Sequence, residues 1–525
     1  MDSPLQIFRE LLPFGQNSAE QKSAAAVRGL LDTVAGLSPQ ETVAKLASSV
    51  LPTVGQQPNL HMRFKLLEDI RHECEQALPT LEQDINQAVL PLPFAVTTAA
   101  LHADNLLKGL SIAYAGIARG INKSQLESGL SHLFHRSVQR AMAMIARRQL
   151  LAYRAYAAPS ATSWQCLHDL FQLVRGPLST PLNGETAPIE HEYLGALLFA
   201  YLEPSKLPRS ELEIINLCSR QLAAYAVIGD ALADPGAVKH PDSCFLVRPE
   251  EGTPGYPLSR LPASTSTFGG LLVDCSPVLA ALDRNITRRP GKSIDPDLNA
   301  APAILQALRV VIGGRSSRRF SRTHFRPRGD LVSGLAAVIS FIDGNAFSRR
   351  SVDAASRYDG RDFTSSEWAL VDESPDGFRL RFIKGEKKTL GAGDIVALQP
   401  RESSKIHVCL VRRIVSSQTR LEIGLQLLSP QIGVVDVLGA DAQESRAIFM
   451  HSLPVLLGAL FLLGVHSTLF GPVKYAILPQ HLGEDELVGG NALVESGTFV
   501  AILVGTLAGG LLAGFGYHPA WIALA

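Results

Sequence analysis

The chain is poor in cysteine and has no net charge. Its 525 residues include 6 cysteines. These are Cys74, Cys166, Cys218, Cys244, Cys275 and Cys409, widely spaced and without a CxxC pair, which argues against both a disulfide framework and a structural zinc site. A reduced, cytoplasmic setting is expected. Lys plus Arg equals Asp plus Glu at 49 each, so no overall field would draw the molecule onto nucleic acid or an anionic membrane, and recognition of an anion must be local. Met1-Asp2-Ser3-Pro4 opens the chain with no basic stretch before an apolar core, so no secretory leader is expected. A nucleophile elbow, a P-loop and an HExxH helix are missing as well. With them goes the expectation of a catalytic centre, a cofactor or a metal.

What the chain does contain changes along its length. Up to about residue 235 apolar residues recur at helical spacing, as in Phe64, Leu67, Ile70, Cys74, Ala77, Leu78 and Leu81, with charges on the other face. Helices are expected at 19–36, 98–119, 124–155, 161–175, 190–203 and 209–233, with no fixed repeat period. Between 236 and 312 prolines and glycines punctuate short apolar runs such as Cys244–Val247 and Leu271–Val273, followed by helices near 277–286 and 302–312. From 330 onward strands are expected at Leu331–Ile342, Trp368–Asp372, Phe378–Ile383, Ile395–Leu398, His407–Ser416 and Arg420–Leu428. Short strands separated by turns favour a barrel or a sandwich.

Arg315-Ser316-Ser317-Arg318-Arg319-Phe320-Ser321-Arg322-Thr323-His324-Phe325-Arg326-Pro327-Arg328 places six arginines in fourteen residues. Arginine can fork onto phosphate oxygens, fork onto the O6 and N7 edge of guanine, or stack its flat face on a base. Taken alone, the strip also reads as a solvated basic linker or a nonspecific nucleic-acid tether. About fifty residues on, Asp372-Glu373-Ser374-Pro375-Asp376-Gly377 fits D-x-S-x-x-G between two strands. Alone it reads as a hairpin turn. In this spacing, however, the Asp carboxylate can accept from a guanine edge, the Ser hydroxyl can reach base or phosphate, and Gly377 frees the backbone at the turn.

In this order, ahead of a strand-rich segment, the two motifs resemble the PilZ family, over about 315–436. The likeness continues through Gly393–Leu398, Val411–Ile414 and Glu422–Leu427. It implies a β-barrel that binds cyclic di-GMP through RxxxR at Arg318 and Arg322, with Arg319 adjacent, and through Asp372, Ser374 and Gly377. The gap between the motifs is long, and 343–366, with Arg349, Arg350 and Asp353, reads as an insertion. On this reading the chain is a bacterial second-messenger receptor without catalysis, and its helical domain meets a protein partner; nucleic acid is not an expected partner.

Other charged groups read more plainly. Arg136, Arg140, Arg147 and Arg148 share one expected helix and read as its solvated face. His191 beside Glu190 and Glu192 reads as a polar helix start, and His240, Asp242 and Cys244 match no metal-ligand spacing.

The tail differs again. Leu453–Leu478 and Leu493–Phe515 are apolar stretches near the roughly 20 residues that span a bilayer, and a third begins at Trp521. Gly464–Gln480 and Glu486–Thr498 resemble the lysophospholipid transporter branch of the major facilitator superfamily. That resemblance implies transport as the alternative function. Two helices and a fragment cannot form either half of an alternating-access bundle, so the tail reads as a truncated piece that would anchor the receptor to the inner membrane. The fold expected is therefore multidomain α+β. It comprises a helix-rich N-terminal domain over 1–235, a mixed connecting region over 236–312, a PilZ-type antiparallel β-barrel over 313–440, and two to three transmembrane helices over 450–525.

Overall fold

The computed structural model describes residues 14–175, 187–231, 238, 240–262, 267–286, 302–313, 327–342, 365–385, 389–401, 403, 405–417, 420–429, 432–438, 444–450, 478, 482–483 and 486–514. Two compact units divide the chain. One comprises Met1–Leu428 with Gly433–Ile448, and the other comprises Ser429–Ile432 with Phe449–Ala525.

Caps and apolar spacing build the helices of the first unit. After α1 (Phe14–Asp32), a capping box at Ser38 and Glu41 starts α2 (Pro39–Lys45). Asn59 accepts from Met62 N and starts α3 (Leu60–Gln87). The inner face of α3 carries Phe64, Leu67, Ile70, Cys74, Ala77, Leu78 and Leu81, all buried. Against it pack α4 (Phe94–Gly120) and α5 (Ser131–Arg154). Gly129, at φ 111°, sets off α5 from the turn before it. Next come α6 (Ala161–Arg175), α7 (Ala187–Tyr201) and α8 (Leu212–Leu222).

The arginines of α5 are not a solvated face. Arg140 grips Glu68 of α3 with Nε and Nη2, both at 3.0 Å. Arg147 reaches Glu82 at 2.7 Å, Arg148 bonds Asp104 of α4, and Arg136 lies 5.5 Å over the Phe64 ring. Their partners sit on other helices, which is why local spacing does not reveal them.

The 209–233 helix ends early, because after Tyr225 the chain extends into β1 (Val227–Asp230). With β2 (Cys244–Val247), β3 (Tyr256–Pro257) and β4 (Leu271–Asp274) it forms an antiparallel sheet in the order β1-β4-β2-β3. Tyr201 stacks on Phe245 at 3.7 Å. The sheet, α9 (Ser276–Ile286) and α10 (Pro302–Ile312) thus share the helical core.

Six strands close a barrel: β5 (Arg328–Ser333), β6 (Ser366–Ser374), β7 (Gly377–Gly385), β8 (Ile395–Pro400), β9 (His407–Ser416) and β10 (Leu421–Ser429), in the order β10-β7-β6-β5-β8-β9. Its core holds Trp368, Leu370, Leu380, Val396, Leu398 and Ile423. The expected strand Leu331–Ile342 is corrected: Gly334, at φ 92°, ends β5, and Leu335–Ile342 forms α11. The chain then adds the two-stranded pair β11 (Ile432–Leu438) and β12 (Glu444–Met450). The expected insertion falls almost wholly in 343–364, outside the described residues.

Much of the C-terminal expectation lies outside the described residues. Of Leu453–Leu478 only Leu478 is described, and the third stretch at Trp521 lies outside the described residues. Leu493–Phe515 falls largely within α12 (Leu487–Gly514), whose described side chains end at Val500 and include Asn491, Glu495 and Ser496. Among the described residues no helix is long and apolar enough to cross a membrane.

Candidate functional site

Strand polarity decides which barrel side chains can meet a ligand. Trp368 and Leu370 of β6 point into the core, so Glu367 and Ala369 face outward. Strict alternation would send Asp372 inward. A bulge offsets the register, pairing Leu370 with Leu380 but Asp372 with Arg379. The extra residue, Val371, puts Asp372 on the outer wall beside Arg379. Arg379 Nη1 lies 3.5 Å from Asp372 Oδ2, and Asp372 is only 3% exposed.

Arg379 is the residue that the motifs did not reveal. The alternation Phe378-Arg379-Leu380-Arg381 was its available signal, because it throws every second side chain outward. Glu422 of β10 fixes the Arg379 guanidinium at 2.8 Å from Nη2 and 3.2 Å from Nε, and also receives Arg381 at 3.1 Å and Arg420. A second cluster surrounds Glu367, with Arg328 at 2.8 Å, Arg401 at 3.2 Å and Lys384 at 3.6 Å. Arg401 also meets Asp330 at 3.3 Å. Cations outnumber carboxylates on this wall, which suits an anionic ligand.

Burial alone would raise the Glu367 and Glu422 carboxyls. The surrounding cations outweigh it and hold both below the usual carboxylate range, chiefly Arg328, Arg401 and Lys384 at Glu367, and Arg379, Arg420 and Arg381 at Glu422. A depressed folded pKa gives stability that is complete above the unfolded value of about 4.3 and is lost as pH falls below it through the folded value. Urea midpoints should therefore drop as pH falls below about 4.3, and Glu422→Gln should flatten that drop. An equally steep drop in the variant would remove Glu422 from this account.

The hairpin joining β6 to β7 holds the rest of the second motif. Ser374 Oγ donates to Gly377 O at 3.2 Å. A Cβ at Gly377 would lie 1.9 Å from Leu425 O, so only glycine lets β10 approach here. Arg318, Arg319 and Arg322 lie outside the described residues. The end of their strip is described: Pro327 O accepts from Leu370 N at 2.9 Å, and Arg328 opens β5 opposite Ala369. The strip therefore enters the barrel beside β6, two residues from Asp372.

A closed six-stranded antiparallel barrel, entered by an arginine strip and carrying D-x-S-x-x-G on its outer wall, is a PilZ-type receptor module. The chain matches the family model of the N-terminal domain of the cyclic-di-GMP receptor FimW over residues 25–233, and that of its middle PilZ domain over residues 345–432. It belongs to the FimW family of cyclic-di-GMP receptors. The second match begins downstream of the arginine strip.

The chain is also similar to the lysophospholipid transporter LplT of Cronobacter sakazakii, 37% identical over 100 residues, covering 17% of this chain and 24% of that protein. Against LplT of Klebsiella pneumoniae it is 46% identical over 52 residues, covering 10% of this chain and 13% of that protein. It thus spans a quarter or less of the length of these curated relatives. No solved structure matches it.

Proposed function

We propose that cyclic di-GMP is clasped between Arg318, Arg319 and Arg322 on one side and Asp372, Ser374 and Gly377 on the other, and that the chain acts by binding alone, its helical domain passing the signal to a protein partner. The carrying observation is the Pro327–Leu370 hydrogen bond, which tethers the strip beside Asp372. Arg322 is five residues upstream of Pro327, so the Cα–Cα span is at most about 18 Å. Guanidiniums at that distance can reach phosphates of a ligand lying on β6 and β7. The Asp372 carboxylate can accept from guanine N–H groups, and Arg379 holds that carboxylate in place. The two phosphates of the ligand complement the cationic excess of the wall.

Isothermal titration with cyclic di-GMP tests this reading. Arg318→Ala with Arg322→Ala should weaken binding by about 100-fold, and Asp372→Ala by about 10-fold or more, on the scale of lost hydrogen bonds to charged groups. Affinities equal to wild type in both variants would reject the site.

A further inference from the structure

We propose that the helical domain holds a second binding site, for a small phosphate- or carboxylate-bearing anion, in the cavity between α3, α5, α7 and α8. The cavity has a volume of about 350 Å³, at the small end of the roughly 300–1,000 Å³ typical of ligand pockets. It suits a small metabolite better than a cyclic dinucleotide, and it lies apart from the barrel.

Its wall is cationic. Arg71, Arg140, Arg147 and Arg220 line it, with Glu75 and Glu192 as the carboxylates among the lining residues. Glu68, Glu82 and Glu213, which partner these arginines, are not part of the wall. Glu68, Glu82 and Glu213 act from behind; Arg71 spends Nε and Nη2 on Glu68 and Nη1 on Glu75, whereas the other three arginines keep donors unspent. Arg140 uses Nε and Nη2 on Glu68, and its Nη1 has no acceptor among the described residues. Arg147 gives Nη2 to Glu82, while its Nη1 stands 3.8 Å from Glu213, beyond hydrogen-bond reach. Arg220 spends Nη2 on Glu192, leaving Nε and Nη1.

A purely structural ion-pair lattice would use up its donors and fill its space; here both are left over. Carboxylates behind the guanidiniums fix their planes, so an incoming oxyanion meets forks that are already oriented. Glu192 provides a counter-charge. It is half-buried, with its side chain 10% exposed, and desolvation pushes its carboxyl above the ordinary range against the pull of Arg220. Replacing that carboxylate with an amide would free Arg220 and remove a like charge facing the anion.

The full chain would be titrated calorimetrically, in phosphate-free buffer, with inorganic phosphate, citrate and a nucleoside monophosphate. The phosphate and citrate arms tell which headgroup is preferred. At least one should bind, Arg220→Gln should weaken it about tenfold, and Glu192→Gln should tighten it. Cyclic di-GMP uptake should be the same in all three proteins, which separates this site from the barrel. No binding of any probe up to roughly 10 mM, or an Arg220→Gln affinity equal to wild type, overturns the proposal. If Arg220→Gln does not fold, Glu192→Gln decides: tighter binding supports the site, and unchanged or weaker binding overturns it.

Discussion

Tyr156→Ala is expected to destabilise the barrel by about 3–5 kcal/mol, the range for deleting a buried aromatic side chain. Tyr156 follows α5 at φ 53°, a left-handed conformation uncommon outside glycine. It is 2% exposed and belongs to the barrel core together with Leu90, so two residues from the helical part complete the packing around Trp368. Its carbonyl accepts from Ser416 N at 2.9 Å. Its hydroxyl donates to Leu207 O and accepts from Ala392 N, each at 3.3 Å. Arg209 lies 4.9 Å above the ring and donates to Ala88 O at 2.9 Å, while its Nε and Nη2 are buried with no hydrogen-bond partner among the described residues. Burial already lowers the Arg209 pKa, so removing the π face leaves a buried cation with less support. Urea unfolding followed by tryptophan fluorescence measures the loss. Tyr156→Phe, which keeps the ring, should cost only about 1 kcal/mol. A loss below that for Tyr156→Ala would mean that the helical part does not brace the barrel.

That brace shows where sequence reasoning reaches and where it stops. The α3 face was legible residue by residue, because a 3.6-residue period needs no knowledge of the partner helix. The strands around Trp368, Phe378, Ile395, His407 and Leu421 were legible because alternation and turn residues bound them. The single strand expected over 331–342 failed at Gly334, where a left-handed turn lets a strongly apolar run coil into α11. The bulge at Val371 left no mark that alternation could detect, yet it decides which way Asp372 faces. Tyr156 and Ala392 lie 236 positions apart, and no local pattern links them. Of the candidate site, the motif residues were legible from their order. Arg379 and Glu422 were not, because strand pairing alone joins them to Asp372.

Gly377→Ala separates the two jobs of the second motif. The new Cβ would sit 1.9 Å from Leu425 O, 2.9 Å from Leu425 C and 3.0 Å from Gln426 Cα. These are all backbone atoms of β10, so no rotamer change can relieve the clash. The hairpin must move, and the Gly377–Gln426 pairing and the Leu427 N to Asp376 O bond at 2.7 Å go with it. Overpacking and left-handed strain together predict a loss of about 3 kcal/mol or more. Asp372→Ala should behave differently, because Arg379 keeps both of its bonds to Glu422; the stability cost should stay near 1 kcal/mol while ligand affinity falls. Urea midpoints and titrations on both variants would then show glycine as the architectural member of D-x-S-x-x-G and aspartate as the recognition member. A Gly377→Ala protein with a wild-type midpoint would show that β10 does not approach the hairpin this closely.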